Sequence, residues 1–392
     1  MRSTDSPRVQ TLLRCQLDAF LEVRAGETPT PAREVRAGLA LHALPPPALA
    51  ALSADPRMHS PLDVEGWALE VFTMKRFAPL IAPAKLLRDF PATRCYLIGV
   101  SGGRDSIALL DLLLGFGYEK LVVCHLDHRL RDAASRADAR FVEKVARNLG
   151  LDCEIGSVDV GALAKRSKLS IETAARFARL AFFVEVARRR RCSRIFLAHH
   201  ADDLVETALL NLFRGAGPGG MAALRQVSIH RVGKTKLTII RPLLAVWRKE
   251  IDGYIRQQRL EFREDKTNAR LDSSRNRIRH RVLPNIGKTF GRDVRRPIWR
   301  TAVIWADEEA LLDSMLPSAG AKLAVTSLRK LSVALQRRAL LRWLQQRKTP
   351  NITFDLVEKI RALLEPSSLT AKVNLPGNRH VRRRSRKIFI EG

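Results

Sequence analysis

Two carboxylates stand out for the chemistry they could do: Asp105, within Ser101-Gly102-Gly103-Arg104-Asp105-Ser106, and Asp203, within His199-His200-Ala201-Asp202-Asp203. The glycine stretch follows an apolar run, Tyr96-Leu97-Ile98-Gly99-Val100, and leads into a helical pattern of Ile107, Leu109, Leu110, Leu112, Leu113 and Leu114. Strand, tight turn and helix together make a phosphate site, because the first amides of the helix are unpaired and the positive end of its dipole faces the anion. Gly102 and Gly103 let the backbone come close, and Ser101 and Ser106 add hydroxyls. A carboxylate in such a place repels phosphate unless a divalent cation lies between them, so Asp105 reads as a Mg²⁺ ligand. A glycine turn capped by Asp or Ser would account for any two of these residues, but not for the whole set. No GxxxxGK[ST] occurs in the chain, so no Walker lysine is present.

Asp203 and Glu206 are three apart in a helical pattern and share a face, which lets Asp203 complete the cation site from a second element. Capping by acids competes with that role, and it suits Asp202 better than Asp203. His125 and His128, with Arg131, follow a strand where the adenine or ribose of a mononucleotide would lie. For these histidines, ligand contacts and ordinary half-buried positions both remain open. Arg214 leads a glycine loop, 215–220, that either closes over a substrate or serves as a linker. Arg275, Arg277, Arg279 and Arg281, with Asn276, crowd charge that an anion would relieve; a solvated basic face is the other reading.

The elements that must position these groups alternate. Strands are expected at 121–126, 153–160, 194–200 and 238–244 after the one ending at Val100, and helices at 135–149, 172–191 (begun by Ser170) and 202–214. This rhythm means an α/β fold with a parallel sheet and helices on both faces. The chemistry-bearing stretches all fall beyond the carboxyl ends of strands, where such sheets bind ligands.

The 392 residues allow two or three domains, and a net charge of +29 attracts polyanions, with RNA, DNA and anionic membrane as candidates. No run of 18 apolar residues exists, so no membrane span is expected, and nucleic acid, not membrane, is the expected partner. Five cysteines, never in CxxC, argue for reduced thiols in a cytoplasmic protein and against zinc or iron–sulfur sites. Residues 1–60 hold seven arginines, six acids and no lysine. This acid content speaks against a transit peptide, and Met58 or Met74 are alternative starts.

Taken together, SGGRDS, HLDHRLR, ETAARFARL, AHHADDLVETALLNLFRGAGPGG, IIRPLL, EDKTN and SRNRIRHRVLP (from residue 101 to 284) resemble the tRNA(Ile)-lysidine synthetases, within the PP-loop or N-type ATP pyrophosphatase superfamily. The resemblance implies an adenine-nucleotide α-hydrolase-like (PP-loop) domain, then a smaller helical domain and a basic C-terminal hairpin. The expected divisions are an extension at 1–90, partly disordered or helical, a catalytic domain at 91–285, helical tRNA-binding residues at 286–365 and the hairpin at 366–392. Longer family members carry one more C-terminal domain beyond the region matched here. The implied activity uses ATP with Mg²⁺ to adenylate the wobble cytidine of the CAU-anticodon isoleucine tRNA, after which L-lysine displaces AMP.

By motif, Ser101, Gly102, Gly103, Arg104, Asp105, Ser106 and His125 would bind ATP, with Mg²⁺ on Asp105 and Asp203. Glu206 and Arg176 would shape the lysine and cytidine pocket, and Arg214 would face the developing phosphate charge. Arg275, Asn276, Arg279, Arg382, Arg383 and Arg384 would contact tRNA. A tRNA thiolase of the same superfamily would be expected to carry catalytic cysteines, an amidotransferase would need an ammonia source that the first 90 residues do not suggest, and a non-catalytic RNA-binding relic would not be expected to keep Asp105, Asp203 and Glu206.

Each phosphate contact adds about 0.7–0.9 to the log–log salt slope of binding. Replacing Arg382, Arg383 and Arg384 together by Ala is therefore expected to weaken tRNA binding and flatten that slope by about two to three units, measured by filter binding across a salt series. An unchanged slope would mark the run as merely solvated.

Overall fold

The structure, a computed structural model, describes residues 80–130, 132–222, 224–233, 235–264, 273–317, 320–365 and 372–391. The expected N-terminal extension up to residue 79, the alternative starts Met58 and Met74, Arg131 and residues 265–268 of the EDKTN motif lie outside the described residues.

In chain order, α1 (Pro83–Asp89) precedes β1 (Tyr96–Gly99), and α2 (Arg104–Gly115) follows the glycine turn. β2 (Leu121–Asp127), α3 (Asp132–Asn148), β3 (Asp152–Ser157), α4 (Val160–Ser167), α5 (Ile171–Arg189), β4 (Arg194–Phe196) and α6 (Ala201–Leu212) continue the alternation. A short α7 (Pro218–Met221), the hairpin of β5 (Val227–Val232) and β6 (Thr235–Ile240), and α8 (Arg248–Gln257) complete this part. The sheet order is β3-β2-β1-β4-β6-β5, parallel throughout except for the edge strand β5. The chain turns outward in opposite directions from β1, to β2 on one side and β4 on the other, which opens a crevice at their carboxyl ends.

Alternate residues of β1 face opposite cores. Tyr96 and Ile98 pack with Leu109, Leu113 and Ile251 of α2 and α8, whereas Leu97 packs with Phe183, Val184 and Ala187 of α5. Burial on both faces is why these strands are continuous apolar runs. Ser170 caps α5 as expected, accepting from the Thr173 amide.

Two expected strand ends are corrected, and one strand is added. The strand expected at 238–244 stops at Ile240, because Pro242 has no amide for the ladder and begins a 3₁₀ turn, Pro242–Ala245. Its antiparallel partner β5 had no clear period-2 signal, and only Ser228 in it is buried. The strand expected to run to His200 ends at Phe196, which frees His199 and His200 to turn into the crevice.

Downstream, α9 (Ser274–Arg277) passes through a π turn, Ile278–Val282, into α10 (Leu283–Phe290). Pro284 lacks the amide that would close an α-helical bond to the His280 carbonyl, which explains the wider turn. Next, α11 (Arg295–Ser314) seats Ala302 among Leu204, Ala208, Met221 and Leu244 of the catalytic part. β7 (Leu323–Ala324), α12 (Val325–Arg329), α13 (Val333–Gln346) and α14 (Phe354–Ala362) lead to β8 (Lys372–Leu375), β9 (Arg379–Arg384) and β10 (Lys387–Glu391). Instead of an isolated hairpin, these strands form one antiparallel sheet, β7-β10-β9-β8, sharing a core of Leu340, Trp343, Leu344, Ile360, Val381 and Ile388 with the helices. Arg338 ties this core to α11, with Nη1 2.6 Å from Glu309 Oε1 and Nε 2.8 Å from Asp313 Oδ1. Among the described residues, no helix is long and apolar enough to cross a membrane.

Strand alternation divides the basic run. Arg382 and Arg384 are exposed, but Arg383 lies on the face of the buried Val381 and donates from Nη1 to the carbonyls of Leu363 and Glu365, both at 2.7 Å. Arg383 is thus a strut between sheet and helix, and its expected tRNA contact is corrected accordingly. Arg383→Ala should lower unfolding free energy by about 1.5–3 kcal/mol in urea melts. Arg382→Ala with Arg384→Ala should leave the melt within about 0.5 kcal/mol and flatten the salt slope by about 1.5 units; the reverse pattern would put the strut elsewhere.

Candidate active site

Because β1 and β4 are neighbours, the turns that follow them bring Asp105 and Asp203 to the same imidazole. His200 Nε2 is 3.8 Å from Asp105 Oδ2 and 3.6 Å from Asp203 Oδ2, and its Nδ1 is 3.6 Å from Asp202 Oδ2. The ring is only 1% exposed. These distances exceed hydrogen bonds, and Asp105 Oδ1 and His200 Nδ1 are buried without a hydrogen-bond partner among the described residues. Burial, reinforced by Asp203, pushes the Asp105 carboxyl above its ordinary pKa. Burial acts upward on Asp203 as well, but His200, His199 and Arg275 outweigh it and hold Asp203 below the usual range.

The helix cap differs from expectation. Asp203 Oδ2 accepts from the His200 amide at 3.0 Å, whereas Asp202, one residue into the helix, turns to α8 and accepts from the Arg248 amide at 3.0 Å. Asp203 therefore caps α6 while facing Asp105.

The glycine turn is braced internally. Ser106 Oγ donates to the Gly103 carbonyl at 2.8 Å, the Ser101 amide donates to Ser106 Oγ at 3.2 Å, and the Gly103 amide donates to Ser101 Oγ at 3.3 Å. Gly102 has φ +86°, a conformation that requires glycine. Buried His125 donates from Nδ1 to the Val100 carbonyl at 2.9 Å, and burial lowers its pKa, so it supports the turn from below as a neutral ring. The Arg104 side chain points away from the turn, to Asp252 at 2.5 Å and Glu264 at 2.8 Å, leaving its backbone at the anion site.

Glu206, 1% exposed and one turn beyond Asp203, is gripped by Arg279 of the π turn at 2.6 and 3.2 Å. Burial raises the Glu206 pKa against the pull of that guanidinium. Arg279, expected at a tRNA surface, is thus committed to an acid inside the site; the widened turn re-aims it inward. Arg275 donates to Thr207 Oγ1 at 3.2 Å and stands 3.9 Å from Asp203 and from Glu206. The Asn276 amide is used by the Ser273 cap. Arg176 is exposed on α5 and is brought to this group by no contact among the described residues, acting only electrostatically on Arg241. Arg214 is not brought in. It is exposed beyond the end of α6, roughly 16 Å along the helix from Asp203, and has no side-chain partner among the described residues.

His200 is noted in the sequence only as part of its motif, and Arg241 and Arg248 are not singled out there, since nothing in their spacing shows which strand end they reach. For Arg241 and Arg248 the only signal is position, directly after β6 and at the start of α8. Among the described residues, no group of three or more His, Cys, Asp or Glu is disposed to hold a metal. The candidate ligands are two carboxylates from two elements.

The opposite shifts of the two carboxyls predict opposite effects on stability. Asp105, raised on folding, costs stability once ionised, so Asp105→Asn should raise Tm at pH 7.5, with a gain that shrinks as pH falls and the wild-type group protonates. Asp203, lowered on folding, contributes stability above its unfolded pKa that is lost in acid, so Asp203→Asn should lower Tm at pH 7.5. Shifts of the same sign in scanning calorimetry would contradict this electrostatic picture.

Comparison with known proteins agrees with this geometry. A PP-loop domain model matches residues 75–286, more than half of the chain, and a TilS substrate binding domain model matches 323–389. The chain is 38% identical over 326 residues to a tRNA(Ile)-lysidine synthase of Geobacter sulfurreducens, covering 77% of this chain and 68% of that one. It is 35% identical to the Solibacter usitatus enzyme of the same name, over 71% and 63%, and 34% identical to that of Chlorobaculum tepidum, over 75% and 89%. With this glycine turn, this acid pair and these relatives, the chain belongs to the tRNA(Ile)-lysidine synthase family.

Proposed function

We propose that this protein joins L-lysine to the wobble cytidine of the CAU-anticodon isoleucine tRNA at the expense of ATP. The observation that carries the reading is the convergence of Asp105 and Asp203 on His200 beside a glycine turn built for phosphate. In the first step the cytosine O2 attacks the α-phosphorus of ATP in line, an O–P bond forms and pyrophosphate leaves. In the second, the lysine ε-amine attacks C2 of the activated base, the C–O bond breaks, and AMP departs with that oxygen.

Catalysis of this kind rests on positioning and charge neutralisation. The backbone of Gly102 and Gly103, the hydroxyls of Ser101 and Ser106 and the first amides of α2 hold the phosphates. Mg²⁺ suits the donor set: two carboxylate oxygens, one of them buried and unpartnered, with phosphate and water filling the other positions. When bound it supplies positive charge where charge develops on the phosphates. Asp105 and Asp203 would hold it there. Glu206 draws in the lysine ammonium and takes the proton that frees the amine, a task matched by its raised pKa, once its bond to Arg279 loosens. Arg275 and Arg176 line the pocket for the cytidine. Arg214 reaches the phosphates only by movement of the glycine loop. Arg382 and Arg384 offer charge to the tRNA backbone.

The thiolase alternative lacks a suitable nucleophile among the described residues. Cys124 is buried with its pKa pushed well up, burial raises Cys153 to about 11 and Cys192 to about 12, and Cys95 and Cys192 precede β1 and β4 at the opposite end of the sheet.

The purified protein should release AMP and pyrophosphate and consume lysine only when a CAU-anticodon tRNA is present. Asp105→Asn should cut AMP release about 10²-fold or more. Glu206→Gln should spare tRNA-dependent ATP–pyrophosphate exchange yet slow lysine transfer about 10²–10⁴-fold. Release of ADP, or sulfur incorporated in place of lysine, would refute the reading.

A further inference from the structure

Four cysteines fall among the described residues, and two of them are aligned. Cys95 immediately precedes β1 and Cys192 lies two residues before β4, and these strands are parallel neighbours with Leu97 level with Ile195. Carried back along the strands, that register sets Cys95 level with Ser193, so Cys192 is offset by one residue. Strands about 4.8 Å apart, with a rise of about 3.3 Å per residue, then place the two Cα atoms about 6 Å apart, within the span of a disulfide. The faces agree as well. Cys95 is two residues from Leu97 and so shares its side of the sheet, and Leu97 and Cys192 belong to one buried cluster. Cys192 Sγ donates to the Cys95 carbonyl at 3.1 Å. Burial, with a hydrogen bond to the Cys95 side chain, pushes the Cys192 thiol up to about 12. Cys124 and Cys153, also on neighbouring strands, are divided by the sheet: Cys124 packs with Leu97, and Cys153 against the core of Tyr96 and Ile98.

The two aligned thiols differ in access. Cys95 is exposed, whereas Cys192 is buried and fixed at the end of α5, where its amide donates to the Ala187 carbonyl at 2.9 Å. An exposed thiol meets an oxidant first, and a neighbouring buried thiol resolves the product.

We propose that Cys95 and Cys192 are a reversible dithiol–disulfide pair, closed by small-molecule disulfides of the glutathione type, and that the bond staples β1 to β4. The Cys95 thiolate attacks one sulfur of the small disulfide, whose S–S bond breaks and releases one small thiolate. The Cys192 thiolate then attacks the Cys95 sulfur and expels the second. The two protons lost by the cysteines pass to the two released thiolates, so the protein is oxidised by two electrons and the small disulfide is reduced. A thiol of raised pKa is a poor leaving group, so the closed bond is shed slowly by exchange. It constrains the unfolded chain between residues 95 and 192. The staple lies at the amino ends of the strands, away from Asp105 and Asp203, and is independent of the reaction run in the crevice.

The test treats the reduced full chain with glutathione disulfide, alkylates the remaining thiols and maps peptides by mass spectrometry without reduction. The expected product joins the Cys95 and Cys192 peptides, carries no glutathione and reverts with dithiothreitol. Cys192→Ala should instead keep glutathione on Cys95, and Cys95→Ser, an exposed change, should leave Cys192 unmodified. In scanning calorimetry the oxidised wild type should melt about 5 °C or more above the reduced form, a shift absent in Cys95→Ser. A wild-type Cys95 that stays glutathionylated, or that joins a cysteine other than Cys192, overturns the pair. A Cys95–Cys192 bond that forms without raising Tm overturns the staple.

Discussion

Two carboxylates forced together beside a phosphate turn govern this molecule. Asp105 enters the crevice on the first residues of α2 and Asp203 on those of α6, and one buried imidazole lies within 4 Å of both. Burial disfavours both charges, and each disfavours the other. The fold answers unequally. Asp203 is compensated by His200, His199 and Arg275 and keeps its charge readily, whereas Asp105 retains a buried oxygen with no partner and a raised pKa. An uncompensated carboxylate is a cost to folding that a divalent cation and a triphosphate would remove, which is how binding energy comes to be concentrated at the reacting groups.

The arginines around this centre belong to two kinds. Arg279 is locked to Glu206 and Arg338 to Glu309 and Asp313, so their charge is spent on structure. Arg241 is buried and donates only to neutral acceptors, His199 Nδ1, the Arg225 carbonyl and Ser228 Oγ, among the described residues. The distinction depends on backbone detail. The π turn imposed before Pro284 swings Arg279 inward, and strand alternation turns Arg383 toward carbonyls while Arg382 and Arg384 face solvent. A net charge of +29 thus overstates the surface offered to nucleic acid.

The C-terminal sheet is not independent of the catalytic part. α11 packs on α6 and α7, and the carboxylate of Glu309 on that helix meets both Arg338 and the close approach of Gly219, where a Cβ would lie 2.6 Å from Glu309 Oε2. The glycine loop that carries Arg214 at its start is therefore seated against the same helix that anchors the basic sheet. This gives a physical route by which contact at one could be felt at the other.

Much of this was legible from residues alone. An apolar run stopping at Gly102-Gly103 before a leucine-rich helix can hardly be other than a strand, a phosphate turn and a helix, since local backbone preference and periodicity fix all three. The buried parallel sheet follows from strands without polar alternation, and the pairing of Asp203 with Glu206 follows from helical spacing. What tertiary structure decided were the contacts between segments far apart in the chain. Asp105 and Asp203 share His200 only because β1 and β4 are neighbours, Arg279 meets Glu206 across 73 residues, and Arg241 meets His199 across 42. Spacing along a chain carries information over one or two turns of helix. Which cation is paired, and which is left to solvent, depends on packing that no local pattern encodes.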